Sequence, residues 1–305
     1  LPLTLSNFLG FYNLPIQAVY KSKWSWKRLC AEAKVIPNFE NPHESEMTKA
    51  IANKWMATRS SSYFNFVLRL ARGGFQFQIK SLSEKEKAMC LMLHYDVWAK
   101  EGGFPDLETS ITAIGQNQEM VSEIIEVLGY LNDKIEFLEM EISLPFVQPL
   151  HVHARYTRDQ ILAAFGHHTF DTKSSNREGV SENKDLNTEL LFIDLQKSEE
   201  DYSPTTMYDD YAINEYLFHW QSQNATRSDS GKGLTYINHK STGKRILKFV
   251  RERAKDEFGN TMGYVFLGEA DFVSSYGSKP MSITWELKEP IPNYLWKESA
   301  KMAVG

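Results

Sequence analysis

The chain is poor in cysteine: its 305 residues carry only Cys30 and Cys90. They lie far apart among apolar neighbours, so buried free thiols in a reducing compartment are expected and a cysteine zinc site is not. No run approaches the roughly 18 consecutive apolar residues of a spanning helix, so no membrane contact is expected. The start, LPLTLSNFLGFYNLP, has neither the basic segment nor the small-residue cleavage site of a signal peptide. It also lacks an initiator Met and reads as part of a longer polypeptide. A strong charge bias is missing too. The formal net charge of −5 argues against coating nucleic acid by bulk electrostatics, yet permits a local basic face. There is no phosphate-cradling Gly loop with its Lys and no nucleophile elbow. His151 and His153 alternate as on a strand, and His167-His168 follow a helix, without carboxylates at metal-ligand spacing. Asp194 and Lys197 stand three apart, where a metal nuclease wants two and a second acid. No catalytic residue, metal or cofactor is therefore expected in this chain.

What is present is ordinary globular composition, 42% hydrophobic and 13% aromatic, with room for two domains. Residues 1–147 read as helical. Ser83 to Lys100 places Ala88, Leu91, Met92, Tyr95 and Trp98 at helical spacing, and Asn117 to Leu131 repeats the pattern with Met120, Ile124, Val127, Leu128 and Leu131. Pro145 and Pro149 mark a boundary. Beyond it Thr157 and Gln160 form a capping box for a short helix ending at Gly166. Then the period changes. Leu190–Leu195, Tyr216–Trp220, Arg245–Arg251, Gly263–Phe272 and Met281–Leu287 read as strands, with 171–187 and 227–243 as surface loops. The predicted fold is α+β: an all-α helical domain (1–147), then a twisted open β barrel with a few helices (148–305).

Two segments carry chemistry. Tyr202 to Asn224 holds five aromatics before Trp220, the pair Asp209-Asp210, and the run Trp220-Gln221-Ser222-Gln223-Asn224. Aromatic faces beside carboxylates and amides are what stacks a planar base and bonds its edge. An aromatic-rich strand pair in a β core would show the same composition. Arg227 to Lys255 holds nine Lys/Arg against Asp229 and Glu252. Gly231, Gly233 and Gly243 there would let backbone approach a phosphate. Arg227, Lys232, Lys240, Lys244 and Arg245 are the expected phosphate contacts.

The ordered motifs EGV (178–180), YDDYAINEYLFHWQS (208–222), ILKFVRE (246–252), GYVFLGEADF (263–272) and GSKPMSITWELKEPIP (277–292) resemble the C-terminal domain of type IV, modification-dependent restriction enzymes of the phospholipase-D-nuclease/helicase kind. The helical half is similar, less distinctively, to their coupler region. More distantly, the C-terminal pattern resembles the SRA domain, which flips and reads methylated cytosine. That resemblance implies that Tyr208 and Trp220 sandwich the extruded base and that Asp209 or Asp210 accepts from its exocyclic amine. Gln221, Gln223 and Asn224 would probe base edges or fill the vacated stack. It further implies a bacterial, cytoplasmic reader of 5-methylcytosine or 5-hydroxymethylcytosine in double-stranded DNA. Its partners would be helicase and nuclease domains of the same polypeptide, with ATP and Mg held in the helicase part. The alternative is a coupling module that docks a helicase motor without base-specific DNA binding.

Overall fold

The computed structural model describes residues 1–21, 24–98, 103–196 and 210–296. Two compact units emerge. The first comprises Leu1–Glu139, Leu144–Ser174 and Glu257–Asn260; the second comprises Met140–Ser143, Ser175–Asp256 and Thr261–Gly305.

The first unit is helical: α1 (Leu5–Tyr12), α2 (Gln17–Tyr20), α3 (Trp26–Glu32), α4 (Glu44–Asn53), α5 (Ser61–Arg72), α6 (Glu84–Val97), α7 (Leu107–Ile114), α8 (Gln118–Asp133) and α9 (Arg158–Ala164). Caps set the ends. Ser83 and Glu86 form a capping box on α6, Thr157 and Gln160 form one on α9, and Asn117 caps α8. The predicted stripe of α8 is buried: Met120, Ile124, Val127, Leu128 and Leu131. Both cysteines are buried and unpaired, and burial pushes the Cys90 thiol up to about 12.

A buried carboxylate ties this unit together. Asp96 of α6 accepts from Trp55 Nε1 (3.0 Å), Tyr63 Oη (2.5 Å) and Gln160 Nε2 (3.1 Å). Gln160 belongs to α9, so the segment after Pro145 is bonded into the helices. The compact unit consequently extends to Ser174, past the boundary expected at 147. Tyr95 Oη donating to the Thr169 carbonyl, and Lys54 pairing with Asp159, hold the same segment. The two-residue strand β1 (Arg155–Tyr156) bridges Arg59 here.

The second unit carries an open sheet built from β2 (Val180–Asn183), β3 (Thr188–Asp194), β4 (Tyr211–Ala212), β5 (Leu217–Gln221), β6 (Arg245–Arg251), β7 (Tyr264–Tyr276) and β8 (Ser282–Leu287). Their order is β2-β3-β6-β7-β8-β5-β4, and the path does not close on itself. Only the β3–β6 pair on this path is parallel; the other neighbours are antiparallel. The five predicted strands are present within a few residues. Two expectations fail. Residues 171–187, expected as loop, contain β2, and residues 227–243 contain α10 (Gly231–Ile237). A four-residue edge strand and a helix opened by Gly-Lys-Gly carry too little periodicity to read.

Both faces of the central strands are covered, which explains their nearly continuous apolar runs. On β6, Ile246 and Val250 enter one core with Leu191, Ile193, Val265, Leu267, Ile283 and Leu287. On the opposite face Phe249 stacks between Phe192 (5.5 Å) and Phe266 (4.6 Å). Such ring pairs add about 0.5–1.5 kcal/mol each beyond their area.

Candidate functional site

Strand β5 carries the aromatic core of the motif. Successive side chains alternate between faces, so Phe218 and Trp220 share one and His219 takes the other. Antiparallel pairing sets Phe218 against Trp285 and Trp220 against Ile283 of β8. Tyr236 of α10 meets Trp220 edge-on at 5.4 Å and Trp285 at 6.0 Å. On the other face His219 stacks on Tyr211 at 4.7 Å. Asp210 is anchored beside this strand: its Oδ1 accepts from the Gln221 backbone N–H at 2.8 Å. Ser222 then locks the chain to Met281 through reciprocal 2.9 Å bonds.

Into the aromatic interior projects Lys248 of β6. By alternation it shares a face with Ile246 and Val250, and it is fully buried. Its Nζ lies 5.1 Å from the Phe218 ring, 5.7 Å from Trp220 and 5.1 Å from Trp285. Among the described residues Nζ has no hydrogen-bond partner, and neither does the buried Nε1 of Trp285. The ladder is irregular at this point. The β6–β7 register slips between Lys248 and Phe249, and Gly268, opposite Lys248, sits at φ 85. A β-bulge of this kind re-aims a side chain, and only glycine adopts that φ without strain. Burial pushes the Lys248 ammonium down to about 7, while the charge of Asp210 acts in the opposite direction. Nearly all buried polar groups in native proteins are bonded. Two orphaned donors thus share one aromatic interior.

The residues expected from sequence fall out as follows. Tyr208 and Asp209 lie outside the described residues, as does Lys197. Trp220 is a correction to the expectation of an open stacking face. It is 4% exposed and belongs to the sheet core, because its pairing partner Ile283 faces inward. Gln221 is half-buried at the strand end, Gln223 donates to Glu178 Oε2 at 2.9 Å, and Asn224 is exposed.

The basic stripe is the larger correction. Lys244 is buried and ion-paired with Glu182 and Glu189, so it cannot meet a phosphate. Lys232 pairs with Glu189 at 2.8 Å, Arg245 with Glu269 at 2.8 Å, Lys240 with Asp271 at 3.6 Å and Arg227 with Asp229 at 3.0 Å. Lys240 and Arg227 remain largely exposed. The partners Glu182, Glu189, Glu269 and Asp271 come from distant sequence, which is why the stripe looked unopposed. Gly233 serves packing: a β-carbon there would overlap the Arg227 carbonyl. Asp194 is held by a two-pronged contact from Arg251, at 2.6 and 3.2 Å. Sequence reasoning missed Lys248 and Trp285. The available signal was a single Lys inside the apolar run Ile246-Leu247-Lys248-Phe249-Val250.

No group of three or more metal-ligating side chains occurs among the described residues, and no described helix is long and apolar enough to cross a membrane. The fold is thus a helical unit followed by an open mixed sheet with an aromatic interior. Residues 150–299 match the family described as a domain of unknown function, DUF3427. Among solved structures the chain is similar to Arabidopsis thaliana SUVH6, determined in complex with SAM, at a TM-score of 0.34 and 14% identity. That likeness covers 78% of this chain and 42% of the other, less than half of its length. No curated protein matches.

Proposed function

We propose that this chain is a binding module, without catalytic residues of its own, that reads a modified cytosine in double-stranded DNA. The observation that carries the reading is Asp210, held beside an interior walled by Phe218, Trp220 and Trp285 that contains an unpartnered amine. Rings, one acceptor and buried donors together are the chemistry of a pocket that holds an extruded base. The motif order around Tyr208–Ser222, similar to that of modification-dependent restriction enzymes, supports the same reading. On it, the chain is the target-recognition part of an ATP-dependent restriction endonuclease whose helicase and nuclease domains, with ATP and Mg, lie elsewhere in the polypeptide.

Energetics limit what the pocket can do alone. Flipping costs a few kcal/mol, stacking returns about 1–3 kcal/mol per base, and one buried methyl adds only about 0.8 kcal/mol. Discrimination between cytosine and its methylated form must therefore draw on flanking bases, paired sites or a gated downstream step as well as on the methyl. The test is binding of matched duplexes carrying cytosine, 5-methylcytosine or 5-hydroxymethylcytosine at two salt concentrations. Tighter binding of a modified duplex is expected; equal affinity for all three overturns the reading.

A coupling role for the helical unit is favoured by a separate observation. Helix α1 and its flanks expose Leu3, Phe11, Tyr12 and Leu14, with Phe11 at 76%. Exposed aromatics of this density mark protein-docking surfaces. The helicase part of the polypeptide is the expected occupant. Loss of its capture on substituting Phe11 and Tyr12 by Ser would support docking; undiminished capture would remove it.

A further inference from the structure

Resting on the base-reading function above, the geometry points to Lys248 Nζ and Trp285 Nε1 as the donors, and Asp210 as the acceptor, that recognise the amine–imine–carbonyl edge of a cytosine. A lysine amine and an indole N–H both donate, and an ionised carboxylate only accepts. The pairing edge of cytosine presents one donor, the exocyclic N4 amine, and two acceptors, N3 and O2. One acceptor and two donors on the protein complement that set. Guanine offers the reverse count, one acceptor and two donors. Adenine offers one of each on its pairing edge, and thymine places a donor between two acceptors. Cytosine and thymine share the count that the protein set complements, and cytosine is the fit where the acceptor stands at one end of the set instead of between the two donors.

Three structural features place these groups together. Trp285 and Lys248 project into the same interior, with Nζ 5.1 Å from the indole ring. Their donor atoms have no hydrogen-bond partner among the described residues. The bulge opposite Lys248, with Gly268 at φ 85, fixes the point at which the amine enters. Asp210 accepts from the Gln221 N–H, and a carboxylate can accept several bonds. A lysine with no ligand role would be an unusual choice here, because a hydrophobic residue of the same length would avoid the desolvation cost. Stability sacrificed at one buried position is a recurrent signature of function.

The experiment compares the full chain with Lys248→Met and Trp285→Phe variants. Met keeps the length of the Lys stem and Phe keeps an aromatic ring, so each removes the donor with limited change in packing. Two readouts are taken: melting temperature, and affinity for duplexes with a single 5-methylcytosine or cytosine. A third duplex carries 5-methylpyrimidin-2-one, which lacks the exocyclic amine. We expect Lys248→Met to melt at or above the wild-type temperature while its affinity for the cytosine and 5-methylcytosine duplexes alike falls on the order of tenfold or more, the scale of a hydrogen bond to a charged group. Trp285→Phe should lose affinity for both by a smaller factor. The wild type should bind the duplex lacking the amine more weakly than the 5-methylcytosine duplex. If the wild type discriminates and both variants bind each duplex within twofold of the wild-type affinity, the edge assignment is wrong while base reading stands. Equal wild-type binding to methylated and unmethylated duplexes would instead remove the reading beneath it. Should Lys248→Met melt well below the wild type, the decision passes to Trp285→Phe.

Discussion

One buried site in each unit treats ionisable groups in opposite ways. In the helical unit the buried carboxylates are surrounded by donors. Asp96 accepts from Trp55, Tyr63 and Gln160, and Glu123 of α8 accepts from Tyr20 Oη (2.8 Å) and from the backbone N–H groups of Trp26 (2.9 Å) and Lys27 (2.7 Å). In the sheet unit the buried amine of Lys248 and the indole N–H of Trp285 have no such partners among the described residues. A satisfied network ties elements together, here α5, α6 and α9 in one case and the α2–α3 region with α8 in the other. An unsatisfied donor set lowers stability, here offset only in part by the rings around the Lys248 ammonium. The contrast separates a buried group bonded on every side from one that is not.

The largest expected effect attacks the satisfied side. Asp96→Ala leaves three buried donors without an acceptor and is expected to destabilise the chain by about 3–5 kcal/mol in denaturant titration. A loss below about 1 kcal/mol would mean that the hub is not structural. Lys248→Met works the other way. Replacing a buried unpaired amine by an apolar side chain should stabilise by about 1–4 kcal/mol, and a clear loss of stability would show that the amine has a structural partner.

Protonation sharpens the comparison further. Burial raises Asp96 to about 6 and Glu123 to about 7. Both groups bind a proton more tightly in the folded than in the unfolded chain, so their contribution is full below about pH 4 and is lost as the pH rises through 6–7. Lys248 binds its proton less tightly when folded, with the value lowered to about 7. Its penalty is full below pH 7 and is relieved as the pH climbs towards about 10.5, the unfolded value. Unfolding midpoints measured from pH 4 to 10 should show the falling slope reduced by Asp96→Asn, with the Glu123 share remaining, and the rising slope abolished by Lys248→Met. Slopes that survive both substitutions unchanged would assign them to other groups.

The smallest effect concerns charge at the surface. Lys240 keeps 64% of its side chain exposed despite its contact with Asp271. If it meets a phosphate, Lys240→Ala should reduce the salt dependence of DNA binding by about one counterion. An unchanged slope would take Lys240 out of the interface.

Much of the fold was legible because its signals are local. Ser83 with Glu86 and Thr157 with Gln160 announce helix starts within four residues, and the apolar run of β6 and the alternation of β8 announce strands. The domain boundary was not legible, since Gln160 joins the helices through Asp96, 64 residues earlier in sequence. The basic stripe misled for the same reason. Lys244 looks free beside Gly243 and Arg245, but Glu182 and Glu189 reach it across the sheet. Trp220 stood out as an aromatic, while its burial depended on the strand paired with it.

Composition and short-range pattern thus determined the succession of helices and strands and singled out 208–222 as unusual, because caps, periodicity and turn residues act over a few positions. Which cations are neutralised, which rings are buried and which donors lack a partner was decided only by tertiary structure. Each of those outcomes depends on groups from β3, β5, β6 and β8, tens of residues apart in sequence, meeting across one sheet. Electrostatics and desolvation act through space and take no account of distance along the chain.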